Sequence, residues 1–478
     1  MSDLDTTERV EFVSRGHVRA IADERPSQAA SGGVNRAQHR LNGALAIALV
    51  VIVALAPLPL GSNRPVFWMA WTVLLGGLGI VYGAGIVWAN GAVRVTLASF
   101  WPEAALMLAL LAFQLFQLAP LGQWLPLPPS AGATDSNFAS LDPGSTRLTL
   151  LATAGFMLFF FLFAQVTSNR RRARRILLAL FLVVVAYAIL GLVSLTQWND
   201  TLLGFEKQYY RGVATASFVN RNSYATFLAS GLAIGSPLLV AAVVGDHGGT
   251  FARRLLLPLL VLVGMGFIAA ALFATDSRMG TFAGVVGAVL GLLGGALTFR
   301  GSVLGKVLIV LAVAAAAVVL ALVFGAGLIE RLLFQRGDPD REALWAQAWM
   351  AILERPWLGY GAGSFEATFP AFQRPPLDGG TIWSHAHSTY LALWYEHGLV
   401  FGSLPLLAIA LLLGRCVVAL RDPSSTMLSL AALGVGFVFA VHSLVDFSAE
   451  IYADALLLVA VLALGAVGAR GGYRVDRS

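Results

Sequence analysis

Three histidines stand in the stretch TIWSHAHSTYLALWYEHGLVFG, which runs from Thr381 to Gly402. An imidazole can take a proton from a hydroxyl group near neutral pH, so histidine is the commonest general base in proteins. His387 lies just before an apolar run that begins at Thr389. This spacing predicts His387 at the start of a helix, with a glycine on the same face that allows another helix to approach. The residues at +3, +4, +7 and +11 from His387 would share that face: Tyr390, Leu391, Trp394 and Gly398.

The other two histidines, His385 and His397, fall on different faces of such a helix. A single histidine at a water interface is more often solvated than catalytic. We therefore interpret His385 and His397 as ordinary solvated histidines, and the same interpretation is the alternative to a catalytic role for His387. The His-Ala-His spacing also raises a metal site, but ligands at i and i+2 need an extended backbone and a third ligand. The sequence has no H-E-x-x-H motif and a single cysteine, Cys416, so these residues favour a metal site less than a metal-free one.

Arginines beside the ends of apolar segments could bind an anion. The segment EKQYYRGVATASFVNRNSYATF contains Lys207, Arg211 and Arg221, and the turn TDSRMG contains Arg278. A guanidinium donates two parallel hydrogen bonds to a phosphate, whereas a single arginine is more often a solvated or interfacial anchor. The sequence therefore predicts a shared anion site, with solvated arginines as the alternative. A later polar segment contains five more arginines: Arg331, Arg336, Arg341, Arg355 and Arg374.

A second histidine lies near a carboxylate in VHSLVDFSAE, where His442 and Asp446 are four residues apart. One helical turn separates two such residues, so their side chains can meet. Ionisable residues near the end of an apolar helix often carry function. The alternative is a hydrogen-bonded pair that locks two helices together.

The elements that position these residues are membrane helices. The chain is 58% hydrophobic and 12% charged, its mean hydropathy is +0.76, and apolar runs of about 20 residues recur along it. This composition predicts an all-α polytopic membrane protein of about twelve transmembrane helices. The net charge of +6 does not indicate nucleic acid, because its distribution follows the loops. The predicted spans begin near Leu41, Val66, Leu97, Leu148, Ile176, Tyr224, Leu255, Thr281, Val307, Thr389, Met427 and Ile451.

Lysines and arginines accumulate on the cytoplasmic side of short loops, and this rule places both termini in the cytoplasm. We expect a disordered cytoplasmic tail over residues 1–40, a membrane domain over 41–470 and a second tail over 471–478. Three long segments then lie outside: Ala119 to Arg147, Gln197 to Ser223, and Ile329 to Ser388. Loops of this size usually carry the function of a helical scaffold.

The last of these segments, between spans nine and ten, has structure of its own. Asp338 and Pro339 resemble a helix start, and the chain reaches Pro356 before the next break. We predict an amphipathic helix that lies on the outer membrane surface. A glycine-rich stretch, LGYGAGSFE, follows it, but no strand precedes the glycines, so they do not indicate a nucleotide site. The apolar stripe of the helix consists of Leu344, Trp345, Ala348, Trp349 and Ile352.

Four motifs, in this order, resemble the O-antigen ligase and O-antigen polymerase superfamily. They are SFVNRN, TDSR, REALWAQAW followed by RPWLGYGAGSF, and HSTYLALWYEHG, and the likeness covers roughly Tyr210 to Asp446. In the ligases a histidine and an Asn, Ser or Gln precede nine residues and then Gly-x-x-(Gly, Thr or Tyr). His387, Ser388 and Gly398 match this spacing, but Phe401 stands at the last position, one residue before Gly402. The departure leaves ligase and polymerase both open.

The resemblance implies an enzyme of the bacterial inner membrane with a periplasmic active site in the large loop over 329–388. Such enzymes transfer a glycan from undecaprenyl diphosphate to an acceptor hydroxyl of a glycan, lipid A-core or protein, in lipopolysaccharide or exopolysaccharide biosynthesis. It implies a metal-independent, inverting glycosyltransferase without a cofactor or nucleic acid. His387 would be the general base, or would orient the acceptor, and Arg221 and Arg278 would clamp the diphosphate. The further candidates are Arg211 for the diphosphate and Asp446, His442 and Trp394 as supporting residues.

Three other functions compete with this one. A protein O-oligosaccharyltransferase of the same superfamily is one alternative. A twelve-span secondary transporter would place its polar site at mid-membrane and often shows a repeat between its halves, which is not apparent here. A metal-dependent transferase with a lipid donor needs an acidic first outer loop, but that loop reads PLGSNRP and has no carboxylate.

Overall fold

The computed structural model describes residues 28–89, 91–125, 137–244, 251–299, 302–311, 313 and 339–468. These residues are mostly helical, with one short hairpin formed by β1 (Thr201–Leu202) and β2 (Phe205–Glu206). Apolar residues with few helix breakers within each run explain the long helices. The helices are α1 (Gln28–Leu55), α2 (Pro65–Trp88), α3 (Trp101–Gln117), α4 (Pro143–Thr167), α5 (Arg170–Thr196), α6 (Arg221–Val244), α7 (Phe251–Ala274), α8 (Arg278–Thr298), α9 (Pro339–Glu354), α10 (Phe365–Thr368), α11 (Thr389–Ala419), α12 (Thr426–His442) and α13 (Tyr452–Gly468).

Within the described ranges, nine helices are long and apolar enough to cross a membrane, and α12 and α13 are shorter apolar helices. At 1.5 Å of rise per residue, about 20 residues span the hydrocarbon layer. The prediction of an all-α polytopic membrane protein is therefore confirmed. Eleven of the twelve predicted spans coincide with a helix. The ninth falls on residues 303–311, which are helical, and on residues beyond them that lie outside the described ranges.

The first helix begins earlier than the sequence suggested. Helix α1 starts at Gln28, so the prediction of a disordered tail reaching residue 40 was wrong for its last part. Gln38, within this part of the chain, is bonded to a neighbouring segment, since its Nε2 donates to the Ala92 carbonyl at 2.5 Å. Residues 1–27 and the predicted tail 471–478 lie outside the described residues.

Helix α6 lies at the centre of the bundle. In its most apolar window 78% of the residues are buried, against 17% in α2. It packs against α7, α8 and α12. Small side chains let the backbones of α6 and α8 approach closely, which is how apolar helices associate without a large hydrophobic driving force. The close contacts pair Ala225 with Gly280, Ala229 with Gly284, and Ala233 with Gly287. This packing fixes the first residues of α6 and α8 side by side.

The long loop before α11 has its own hydrophobic core. The predicted amphipathic helix is α9, but its apolar residues Leu344, Ala348 and Ile352 are fully buried inside the protein. They pack with aromatic residues of the loop and of α11, including Tyr360 and Tyr395. The prediction of a membrane-facing stripe was therefore wrong for these three residues, because the glycine-rich stretch folds back over them. Trp349 of the same stripe remains 41% exposed.

Helix α11 is interrupted at Gly398, whose φ and ψ are +72° and 169°. The interruption frees backbone groups, and the loop takes them up: Tyr360 N–H donates to Tyr395 O at 2.9 Å, and Leu399 N–H donates to Pro356 O at 2.7 Å. The predicted role of Gly398, an approach of two helices, was thus wrong. The glycine instead accommodates the backbone of the long loop.

Replacing Gly398 with alanine is expected to destabilise the protein. An added Cβ would lie 2.5 Å from the Trp357 carbonyl oxygen, and the left-handed backbone disfavours any side chain. The backbone strain alone costs about 1–3 kcal/mol. Thermal unfolding in detergent should show a lower midpoint for Gly398→Ala. Gly379→Ala is the matched control, because a Cβ there meets nothing within 4 Å; equal midpoints for both variants would contradict the account.

Candidate functional site

Four chain segments meet at one end of the bundle: the first turns of α6 and α8, the end of α12 with the turn after it, and the segment before α11. The backbone joins two of them, because Thr389 N–H donates to Ser443 O at 3.1 Å and Ser388 Oγ donates to the same oxygen at 3.3 Å. We name this region the His387 site. It gathers residues that are far apart in the sequence.

His387 lies in the turn before α11 rather than in the helix. Its backbone is left-handed, with φ at +49°, and Ser388 is the residue that caps the helix. The imidazole is half-buried, and its ring meets the rings of Trp383 and Phe447 edge-on at 5.8 and 5.0 Å between centroids. The prediction that His387 and Gly398 share one helical face was therefore wrong, because His387 precedes α11 and Gly398 interrupts it. The surrounding rings and the bonded backbone fix the histidine instead.

Trp394 lies on α11, but its described contacts are not with His387. Its Nε1–H donates to Ser403 Oγ at 3.0 Å, and its ring lies 6.2 Å from the ring of Trp349 and 6.4 Å from that of Tyr390. These contacts join α11 to α9. The structure therefore assigns Trp394 to packing beneath the long loop.

Two arginines of the His387 site are the first residues of helices. Arg221 is the first residue of α6, and Arg278 is the first residue of α8. Arg221 Nη1 lies 3.0 Å from Asp276 Oδ2, and its guanidinium lies 5.7 Å from the centroid of the Tyr210 ring. Arg278 follows Asp276 by two residues in the same turn, and its side chain is exposed. Helix N-termini carry partial positive charge, so both arginines add to an existing preference for anions.

Asn222 connects these arginines to Asp446. Its Nδ2 donates to Asp446 Oδ1 at 3.2 Å, and its Oδ1 accepts from Ser277 Oγ at 2.9 Å. One side chain thus ties α6 to the turn before α8 and to the turn after α12. Asn222 was missed as a site residue, although it stands beside Arg221 in SFVNRN.

Asp446 and His442 are both buried, each with 1% of its surface exposed. His442 Nδ1 lies 3.9 Å from Asp446 Oδ2 and 2.9 Å from Thr226 Oγ1 of α6. Ser448 Oγ donates to Asp446 Oδ2. The two residues come together as the sequence predicted, and their partners connect α12 to α6. At 3.9 Å the two side chains do not hydrogen-bond to each other, but Ser448 Oγ contacts both, so the geometry favours a structural pair that fixes the floor of the site.

The long loop contributes a third arginine to the His387 site. Arg341, in the first turn of α9, donates from Nη1 to the Val445 carbonyl at 3.3 Å. Burial raises the pKa of the Tyr210 hydroxyl, and the Asp446 carboxylate raises it further, while the guanidinium groups of Arg221 and Arg341 oppose the shift. Arg341 therefore lies within electrostatic reach of the other site residues. The sequence showed it only as one of several arginines in the loop.

Arg211 belongs to a different cluster. Its Nη2 lies 2.8 Å from Glu206 Oε1, its Nε donates to the Lys207 carbonyl at 2.8 Å, and 65% of its side chain is exposed. Lys207 itself is buried in an ion pair with Asp200. Arg211 thus stabilises the hairpin loop, and none of its described contacts joins it to Arg221 or Asp446.

Comparison with known families adds an independent finding. Residues 261–406 match the model of the family described as O-antigen ligase. This segment of the chain is similar to the O-antigen ligases. This match confirms the resemblance to the O-antigen ligase and polymerase superfamily, and it includes Arg278, Arg341 and His387. Arg221 and Asp446 lie outside the matched segment and reach the site through α6 and the turn after α12. A search of curated proteins gives no match.

Proposed function

We propose that this protein transfers a glycan from undecaprenyl diphosphate to an acceptor hydroxyl on the periplasmic face of the bacterial inner membrane. The observation that supports the proposal is that the turn after α12 contacts His387 through Phe447 and Arg341 through Val445, while Asn222 joins its Asp446 to the helix starts that carry Arg221 and Arg278. Residues 261–406, which include three of these residues, match the O-antigen ligase family. A base beside a cluster of cations suits a donor whose leaving group is a diphosphate.

The cationic groups act on the donor. The bond between the anomeric carbon and the diphosphate oxygen breaks, and undecaprenyl diphosphate departs with the electron pair. Positive groups that face the developing charge lower the barrier, because they are stronger partners of the transition state than of the ground state. Arg278 is exposed and can reach an incoming diphosphate directly. Arg221 would exchange its ion pair with the exposed Asp276 for one with the phosphate.

His387 acts on the acceptor. The acceptor oxygen forms a bond to the anomeric carbon, and its proton passes to the imidazole. Attack on the face opposite the diphosphate inverts the configuration of the anomeric carbon. The backbone turn and the two flanking aromatic rings keep this base in place. Positioning of this kind contributes strongly to the rate.

Removing divalent ions is expected to leave the rate unchanged, because arginine supplies the positive charge in this mechanism. The measurement is transfer of a lipid-linked glycan by purified protein with and without a chelator. Strong inhibition that an added divalent ion reverses would contradict the metal-independent mechanism.

The acceptor decides between a ligase, a polymerase and a protein O-oligosaccharyltransferase. A strain that lacks the gene separates them: loss of attachment to lipid A-core indicates a ligase, loss of long chains indicates a polymerase, and loss of a modified protein indicates the third. A secondary transporter is disfavoured because the charged groups of the His387 site lie at helix ends rather than at mid-membrane. Uptake of substrate into proteoliposomes without a glycosidic product would overturn the proposed transfer.

A further inference from the structure

His385 interacts with the site more closely than its sequence position indicated. Its Nδ1 lies 3.0 Å from Glu450 Oε2, a carboxylate in the short helical turn before α13. The two side chains are partly shielded, with 33% and 27% of their surfaces exposed. An imidazole N–H that donates to a carboxylate fixes the plane of its ring. The pair thus connects the segment before α11 to the turn before α13.

The fixed ring of His385 covers one face of Phe447. The two rings are nearly parallel, with an interplanar angle of 5° and a centroid separation of 3.9 Å. Phe447 also meets the His387 ring edge-on, at 5.0 Å and 75°. The phenyl ring is therefore held on one face by His385 while it contacts His387. Glu450, His385, Phe447 and His387 form a continuous series of contacts.

We propose that His385 is a positioning residue that acts on His387 through Phe447. The inference rests on the proposed function, since it assigns His385 a part in setting the geometry of the base. Without the stack, Phe447 can turn about its side-chain bonds, and the imidazole of His387 loses one of its two flanking rings. A displacement of about 1 Å at a reacting group can cost as much as 10²-fold in rate.

Two substitutions separate this role from a general structural one. His385→Ala is expected to lower kcat about 10-fold, in the range of effects from misplacing a reacting group, and to leave the KM for the donor unchanged. His385→Phe keeps the stack on Phe447 and is expected to recover most of the activity. Ser384→Ala, at the exposed neighbouring position, is the control and should behave as wild type. An unchanged kcat in His385→Ala would overturn the proposal.

A double-mutant cycle tests whether Phe447 carries the effect. Phe447→Leu should itself lower kcat, and adding His385→Ala to it should cause little further loss, because the two residues act in series. Thermal unfolding in detergent identifies variants that have lost their fold, and His385→Leu, which removes the stacked ring but keeps an apolar side chain of similar size, replaces His385→Ala in the cycle if the alanine variant is one of them. Additive losses in the cycle would overturn the proposal.

Failure of this inference can be told from failure of the proposed function. If wild-type protein makes no glycosidic product, the proposed function fails. If wild-type protein transfers the glycan and the cycle is additive, the function stands and only the positioning role of His385 is lost.

Discussion

Replacing His387 with alanine is expected to lower glycan transfer by about 10³-fold, the middle of the range for loss of a general acid–base group. The imidazole is half-buried at the junction of four chain segments, and its loss removes the proposed proton acceptor. The measurement is product formation by purified protein with a lipid-linked glycan and an acceptor. Expression and thermal unfolding should remain near those of wild type, because the ring's contacts with Trp383 and Phe447 are edge contacts at the rim of the core.

Ser384→Ala is the control for His387→Ala, since it changes the same segment without touching the imidazole. Added imidazole should restore part of the lost rate if the ring acts as a base. Full transfer by His387→Ala would show that another group accepts the proton.

Replacing Arg278 with alanine is expected to lower transfer by about 10²-fold to 10³-fold, as the loss of one donor to a developing anion does. Lysine should restore only part of the rate, because an ammonium group cannot form two parallel hydrogen bonds to a phosphate. The same measurement on Arg221→Ala should show a loss of similar size. Initial rates at saturating donor separate this effect from weaker donor binding.

Arg211→Ala is the matched control, because Arg211 precedes Arg221 by only ten positions yet is bonded to Glu206 and Lys207. We expect a change of no more than about twofold, since exposed ion pairs contribute little. If Arg211→Ala loses as much activity as Arg278→Ala, the assignment of the diphosphate to the α6 and α8 ends is wrong.

The membrane helices could be predicted from the sequence because a run of apolar residues must be about 20 residues long to cross a bilayer. The start of α1 could not, because Gln38 bonds to the Ala92 carbonyl, a partner that no local pattern reveals. The interruption of α11 was missed for a similar reason. Gly398 departs from helical geometry because it meets the loop backbone at Pro356 and Trp357, about forty residues earlier in the chain.

The site was predictable in its residue types and only partly in its arrangement. His387, Arg221 and Arg278 followed from their chemistry and from the resemblance to O-antigen ligases. Arg341 and Asn222 join them through contacts with residues 104 and 224 positions away, which a single sequence does not reveal. Arg211 was grouped with Arg221 on proximity alone, but the β1–β2 hairpin loop carries it into a separate ion pair.

In the proposed function, the His387 site catalyses transfer of a lipid-linked glycan. The most direct measurement uses protein reconstituted in proteoliposomes with a labelled glycan on undecaprenyl diphosphate and an acceptor. It follows labelled product and released undecaprenyl diphosphate together. We predict one molecule of undecaprenyl diphosphate for each glycosidic bond formed by wild type, and neither above background for His387→Ala. Movement of the intact donor across the membrane without product, or equal product from both proteins, would contradict the account.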